Sequence, residues 1–149
     1  MASLKSGIML RSMRTQDISK VQELVARDGG SLFSFVDLVV YCLQAGYEAV
    51  VADHDGKIVG IAAGKHMKTK SHIDLVCVSK EHRGNGIATS LLSEFKAHAQ
   101  GNAIYLEVDV KNLAAQRLYA SLGYETTQVI PQYYLKSNAL EMRAHEVVA

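Results

Sequence analysis

The chain has 149 residues, 48% of them hydrophobic and 21% charged, with a formal net charge of +1. This length and balance predict one globular domain, 1–149, that buries roughly two-thirds of its unfolded surface. The near-neutral charge gives no electrostatic case for a nucleic-acid or anionic-membrane partner, and no apolar run nears the ~20 residues of a membrane span.

Ile8–Ser12 reads as a short first strand, and Asp17 is placed to cap a helix carrying Ile18, Val21, Leu24 and Val25 on one face. Asp28-Gly29-Gly30 closes that helix. A second helix is predicted over about 32–44, rich in Phe33, Phe35, Leu38, Val39 and Leu43. Apolar runs at 48–52 and 57–64 flank His54-Asp55-Gly56, a hairpin signal. A strand follows over about 71–79, then a helix that buries Ile87, Leu91, Leu92 and Phe95 and stops near Gly101. Residues 104–110 alternate as a strand, 112–122 form a helix stopped by Gly123, and strands near 124–129 and 133–142 close the chain. The order β-α-α-β-β-β-α-β-α-β-β implies an α/β fold with a mixed sheet flanked by helices. Its strand–helix–strand unit over 71–110 is expected to be a right-handed parallel crossover.

Cys42 and Cys77 lie in apolar segments without a Cys-x-x-Cys pattern and read as reduced, packed thiols of a cytoplasmic protein. The first seven residues hold no apolar core of the kind a secretion signal needs. The six histidines are dispersed, so no metal site is expected.

Chemistry is concentrated in Arg83-Gly84-Asn85-Gly86-Ile87-Ala88-Thr89, where the apolar strand 75–78 gives way to an amphipathic helix. Glycines at such a junction let backbone N–H groups converge on an anion, and the new helix adds its positive end. The turn is therefore built to bind phosphate; the structural alternative is a tight strand-to-helix turn, since Gly-x-Gly is common by chance. No Gly-Lys-Ser/Thr follows, which argues against a lysine-bearing nucleotide loop, and the third glycine of a dinucleotide fingerprint is missing. A loose basic group (Lys65, Lys68, Lys70, Lys80, Arg83) suits either attraction of a polyanion or a solvated loop face.

Arg83, Gly86 and Ala88, in an Arg-x-x-Gly-x-Ala pattern behind Val76-Cys77-Val78, resemble the acetyl-CoA motif of the GNAT N-acetyltransferase family. Residues 106–125, which include Glu107, Asn112, Gln116-Arg117-Leu118-Tyr119 and Gly123-Tyr124, resemble the second half of that motif pair. The resemblance spans about 58–142. It is closest to catalytic subunits of protein N-terminal acetyltransferases and to ribosomal-protein alanine acetyltransferases, which share a His-Ile like His72-Ile73 and a late pair like Tyr133-Tyr134. It implies a GNAT fold: a twisted, mostly antiparallel sheet whose two central parallel strands splay apart around acetyl-CoA. By that resemblance Val76, Cys77 and Val78 bind the pantetheine arm through their main chain, and Gly84, Asn85, Gly86, Ile87, Ala88 and Thr89 cradle the pyrophosphate. Arg83 adds charge or only packs, and Asn112 contacts the cofactor or simply caps its helix.

The expected reaction moves acetyl from acetyl-CoA to an amine, releasing coenzyme A. An amine must be neutral to attack a thioester, a carbonyl oxygen must be stabilised, and a thiolate must leave. Glu107 and His72 are the base candidates, with a solvated polar face and a packed histidine as their bland alternatives. Tyr119 is placed to protonate or hydrogen-bond the departing sulfur, or else to pack in the core, and the oxyanion is expected at a backbone N–H near Val76. An acetyl-enzyme at Cys77 is disfavoured, because direct attack needs none and a buried thiol is usually inert. Tyr133 and Tyr134 are expected to overhang the acceptor groove or else to pack as an aromatic pair, and Phe33, with Phe35, to wall that groove or else to join the core. The favoured acceptor is the N-terminal α-amine of a protein or peptide; a small amine, a lysine, or a silent acyl-CoA binder are the alternatives. An auxiliary subunit or a homodimer is compatible with this reading. Two segments depart from N-terminal acetyltransferase relatives: 29–35 in place of a Leu-Pro-Glu-Asn-Tyr-like run, and 135–140 in place of an acidic Gly-Glu-Asp run.

Overall fold

The computed structural model describes residues 4–29, 33–134 and 136–145. Gly30, Ser31, Leu32 and Leu135, which belong to the two departing segments, lie outside them. One seven-stranded sheet, in the order β1-β2-β3-β4-β5-β7-β6, organises the chain. Its strands are β1 (Ile8–Ser12), β2 (Tyr47–His54), β3 (Lys57–His66), β4 (Lys70–Val78), β5 (Ala103–Asp109), β6 (Tyr124–Tyr134) and β7 (Ser137–Ala144). The helices are α1 (Ile18–Leu24), α2 (Phe35–Leu43), α3 (Ile87–Ala97) and α4 (Leu113–Ser121). The expected element order is the observed one.

Local chemistry sets several boundaries. His54 pairs with Lys57 across Asp55 and Gly56, whose φ of 51° and 90° make the two-residue turn that suits right-twisted strands. Ser34 starts α2 with a capping box: its hydroxyl accepts from Asp37 N–H at 3.0 Å, and Asp37 accepts from Ser34 N–H at 3.1 Å. Helix α2 therefore begins at Phe35, later than periodicity alone suggests. Asp17 does not cap α1 directly. It is buried, accepts from Arg14 N–H at 2.8 Å and pairs with Arg11 at 2.7 Å, bracing the 3-10 turn Thr15–Asp17 that leads into the helix.

The end of the chain differs from the sequence expectation. Tyr133 and Tyr134 finish β6 instead of starting β7. Pro131 does not break β6, because β6 is an edge strand where a missing N–H leaves no ladder bond unmade. An irregular register between Ile130 and Tyr134, with Gln132 at φ 53°, absorbs the distortion.

Two apolar layers cover the sheet. Ile18, Val21, Leu24 and Leu38 of α1 and α2 pack with Val51, Ile61, Leu75 and Cys77 on one face. On the other, Leu92 and Phe95 of α3 and Tyr119 of α4 pack with Ile73, Ile104, Leu106 and Val108. All neighbouring strands are antiparallel except β4 and β5, and these pair at only three positions: Lys70 with Ala103, Ser71 with Ile104, and His72 with Tyr105. Beyond His72 and Tyr105 the two strands part.

A bulge lies beside the parting point. Ala63 of β3 pairs with Leu75 and the next residue, Gly64, with Ile73, so Asp74 has no partner in β3. The extra residue resets the alternation of β4: Ile73 joins the α3 layer, whereas Leu75 joins the α1–α2 layer. Gly64 makes this possible. A Cβ there would lie 2.1 Å from the His72 carbonyl oxygen and 2.9 Å from the Phe95 ring.

Candidate active site

A cleft of about 460 Å³ opens where β4 and β5 diverge. It is lined by Val76, Cys77 and Val78, by the turn residues Arg83, Gly84 and Gly86, by Ile87, Ala88 and Thr89 of α3, and by Asn112, Leu118 and Tyr119. Among the residues expected to hold the cofactor, only Asn85 stays off this lining. Its amide instead donates to the His82 carbonyl at 2.9 Å and shapes the turn.

Backbone chemistry at the cleft follows from the strands. Ser79 N–H donates to Val59 at 2.8 Å, so the antiparallel alternation turns the N–H and C=O groups of Val78 and Val76 away from β3, toward the gap. The Val78 carbonyl there accepts from Arg83 Nε at 3.1 Å. Gly84 and Gly86 both adopt left-handed conformations, with φ of 82° and 76°, and Gly86 is the N-cap of α3. The first intrahelical acceptor, Gly86 C=O, serves Ser90 N–H at 3.0 Å, which leaves the amides of Ile87, Ala88 and Thr89 free at the positive helix end. This is a nest of donors suited to a pyrophosphate. Arg83 is tied down: besides Val78, its guanidinium donates to the Asp28 carbonyl at 2.9 Å, joining the end of the α1 region to β4. Asn112 caps α4 by accepting from Ala115 N–H at 3.1 Å while facing the cleft.

Tyr119 is buried on α4, and burial pushes its phenol up to about 12, so it is a neutral O–H donor at physiological pH. Cys77 turns to the opposite layer, with its thiol 3.9 Å from the Leu24 carbonyl. Burial pushes that thiol up to about 11, which suits packing and not nucleophilic attack.

His72 and Glu107 meet on the α1–α2 side of the sheet, at the mouth of the gap. His72 Nε2 lies 2.6 and 3.0 Å from the two Glu107 oxygens, and Nδ1 contacts Asp74 Oδ1. Asp74 first, then Glu107, raises His72 from 6.5 to about 9, against a smaller opposing effect of burial. Tyr41 of α2 donates to Asp74 Oδ2 at 2.7 Å, and Lys65 Nζ lies 3.7 Å from Asp74 Oδ1. From β6, the Tyr133 hydroxyl lies 3.4 Å from Glu107 Oε1. Its ring meets that of Tyr134 edge-on at 5.0 Å. Phe33 sits half-buried against the α1–α2 core.

The arrangement thus brings His72, Glu107 and Tyr133 into one network and puts Tyr119 in the cleft. Asp74 and Tyr41 were not singled out by sequence. The His-x-Asp spacing at 72–74 was readable, but the contact with Tyr41 spans 33 positions and depends on the fold. Among the described residues, no group of three or more His, Cys, Asp or Glu side chains is arranged to hold a metal ion. No helix among them is long and apolar enough to cross a membrane.

Comparison with known proteins places this geometry in context. An uncharacterized N-acetyltransferase of Methanocaldococcus jannaschii is 40% identical over 88 residues, which is 56% of this chain and 56% of that one. The chain therefore spans little more than half the length of that relative. An N-alpha-acetyltransferase of Sulfurisphaera tokodaii is 31% identical over 146 residues, covering 84% of each chain. Among solved structures, a ribosomal-protein alanine N-acetyltransferase from Escherichia coli superposes with a TM-score of 0.87 at 20% identity, over 95% of this chain and 96% of that one. At that identity the likeness concerns the fold. Residues 14–144 match the acetyltransferase (GNAT) domain, and with the parted strands and the glycine turn in place, the chain belongs to the GNAT acetyltransferase family.

Proposed function

We propose that residues 1–149 form a single N-acetyltransferase domain that moves acetyl from acetyl-CoA to the N-terminal α-amine of a protein or peptide. The observation that carries this reading is the parting of β4 and β5 beyond His72 and Tyr105, with the donor nest on one side and the His72–Glu107 pair on the other. The cleft residues fit the cofactor: free amides at the start of α3 suit its pyrophosphate, and outward-turned groups of Val76 and Val78 suit the amides of its pantetheine arm. Acetyl-CoA supplies an activated acetyl thioester.

The chain's own groups do the rest. Glu107 accepts the proton that the attacking amine loses, directly or through one water. His72, protonated at neutral pH, donates to Glu107 and fixes the carboxylate toward the gap. With acetyl-CoA bound, a backbone N–H near Val76 would stabilise the oxyanion that forms on the thioester carbonyl, and the Tyr119 hydroxyl would donate a hydrogen bond to the leaving sulfur. An α-amine with an ordinary pKa of about 8 needs little help from a base at neutral pH, whereas a lysine near about 10.4 needs far more. The name of the S. tokodaii relative, an N-alpha-acetyltransferase, supports the same acceptor.

Peptide-array acetylation with labelled acetyl-CoA, with blocked-terminus and lysine-only controls, tests this assignment. Label on free N-termini that drops at least tenfold in Glu107→Gln supports it. Turnover confined to a polyamine or to lysine side chains overturns the acceptor, and undiminished transfer in Glu107→Gln overturns the mechanism.

A further inference from the structure

We propose that Asp74 and Tyr41 are positioning residues that hold His72 aligned on Glu107, an assignment that rests on the acyl-transfer reading above. Positions 72 and 74, two apart on β4, share the α1–α2 face while Ile73 between them turns to the α3 layer, and the β3–β4 register leaves Asp74 without a partner in β3. The bulge changes the faces only from Leu75 onward, which a regular strand would turn to the α3 layer, and it is held by the close approach of Gly64 to the His72 carbonyl.

Both ring nitrogens of His72 face carboxylates, Nδ1 toward Asp74 and Nε2 toward Glu107, and a ring can donate to both only as imidazolium. Each Asp74 oxygen is itself engaged: Oδ2 accepts from the Tyr41 hydroxyl at 2.7 Å, and Oδ1 faces His72 with Lys65 Nζ 3.7 Å away. Tyr41 is steadied in turn by an edge-on contact with Tyr47, ring centroids 5.5 Å apart. The titratable groups around the imidazole and its two carboxylates include Asp74 from β4, Glu107 from β5, Lys65 from β3, Tyr41 from α2, Tyr133 and Tyr134 from β6, and Glu141 of β7, which pairs across from Glu107. Among the described residues, Asp74 and Glu107 are the hydrogen-bond partners of the ring. Asp74 fixes its rotation and its charge, so that Nε2 presents N–H, not a lone pair, to Glu107. Tyr41 fixes Asp74.

Loss of Asp74 frees the ring to turn and to lose its proton at lower pH, because Glu107 alone then holds its charge. Glu107 then faces an unprotonated nitrogen and loses its fixed direction toward the gap. The effect falls on turnover and its pH dependence, because the cofactor cleft lies on other residues.

The test follows the His72 ring by NMR across pH in wild type, Asp74→Asn and Tyr41→Phe, together with kcat and KM on an α-amine peptide and acetyl-CoA. In wild type the ring keeps its proton well above neutrality; in Asp74→Asn, with Glu107 still on Nε2, it titrates clearly lower than in wild type. Above neutrality Asp74→Asn loses roughly tenfold in kcat and Tyr41→Phe roughly threefold, with KM for acetyl-CoA unchanged and Asp74→Glu restoring most of the rate. Unchanged titration and unchanged kcat profile in Asp74→Asn overturn the proposal, and Tyr41→Phe, which removes one hydroxyl, repeats the test should Asp74→Asn fold poorly. If wild type acetylates no amine while Asp74→Asn still releases the His72 proton, the acyl-transfer reading falls and the positioning of His72 stands.

Discussion

Replacing His72 with glutamine should remove a specific pH dependence from folding stability. His72 is about three-quarters buried, with a side-chain exposure of 24%, between Asp74 and Glu107. Its folded value of about 9 lies above the ordinary 6.5. A group whose pKa rises on folding adds stability that is fully present below the unfolded value and is lost as pH climbs through the folded one. The difference corresponds to about 3 kcal/mol, a sizeable share of a typical total of about 5–15 kcal/mol. Urea unfolding of wild type and His72→Gln, followed by circular dichroism from about pH 6 to about pH 9.5, measures the gap between the two proteins. Other titrating groups are common to both and largely cancel in that gap. It should be widest near pH 6 and close by about 3 kcal/mol at the alkaline end. A gap that stays constant across the range would refute the claim that His72 is held as an imidazolium.

Three further substitutions probe the frame around the gap. Gly64→Ala places a methyl 2.1 Å from the His72 carbonyl oxygen, so it should cost about 1–3 kcal/mol in urea unfolding and depress transfer beyond the loss of folded protein. Cys77→Ala should retain acetyl transfer, and intact-mass measurement of wild type mixed with acetyl-CoA should find no acetyl group on the chain, because the thiol is turned into the α1–α2 layer. Tyr119→Phe should lower kcat by roughly tenfold while calorimetric affinity for acetyl-CoA holds, since only a hydroxyl donor is removed.

Much of this architecture is written locally. Asp55-Gly56 specifies its turn by backbone conformation alone, and Gly84 and Gly86 mark a helix start that only left-handed residues can make. The strand bearing Glu107 alternates cleanly because one of its faces is buried against α3 and α4. What escaped depends on distant partners. Asp17 carries the look of a cap, but Arg11 draws it into a buried ion pair. Arg83 reads as a charge for the cofactor, yet it spends its donors on the carbonyls of Val78 and Asp28. The bulge at Asp74 has no sequence signature, since it arises from a one-residue mismatch between β3 and β4. His72 and Glu107 were legible as separate residues through the family resemblance; their contact with each other and with Asp74 needed the parallel pairing of β4 with β5.

Amide hydrogen exchange resolved by NMR, with and without coenzyme A, examines the opened sheet most directly. The account predicts that the amides of Val76 and Val78, along with those of Ile87, Ala88 and Thr89, gain protection on binding, while the already paired His72 and Tyr105 change little. Binding that leaves Val76 and Val78 exchanging as before, or protection of both in the free protein equal to that of His72, would contradict a slot held open between β4 and β5.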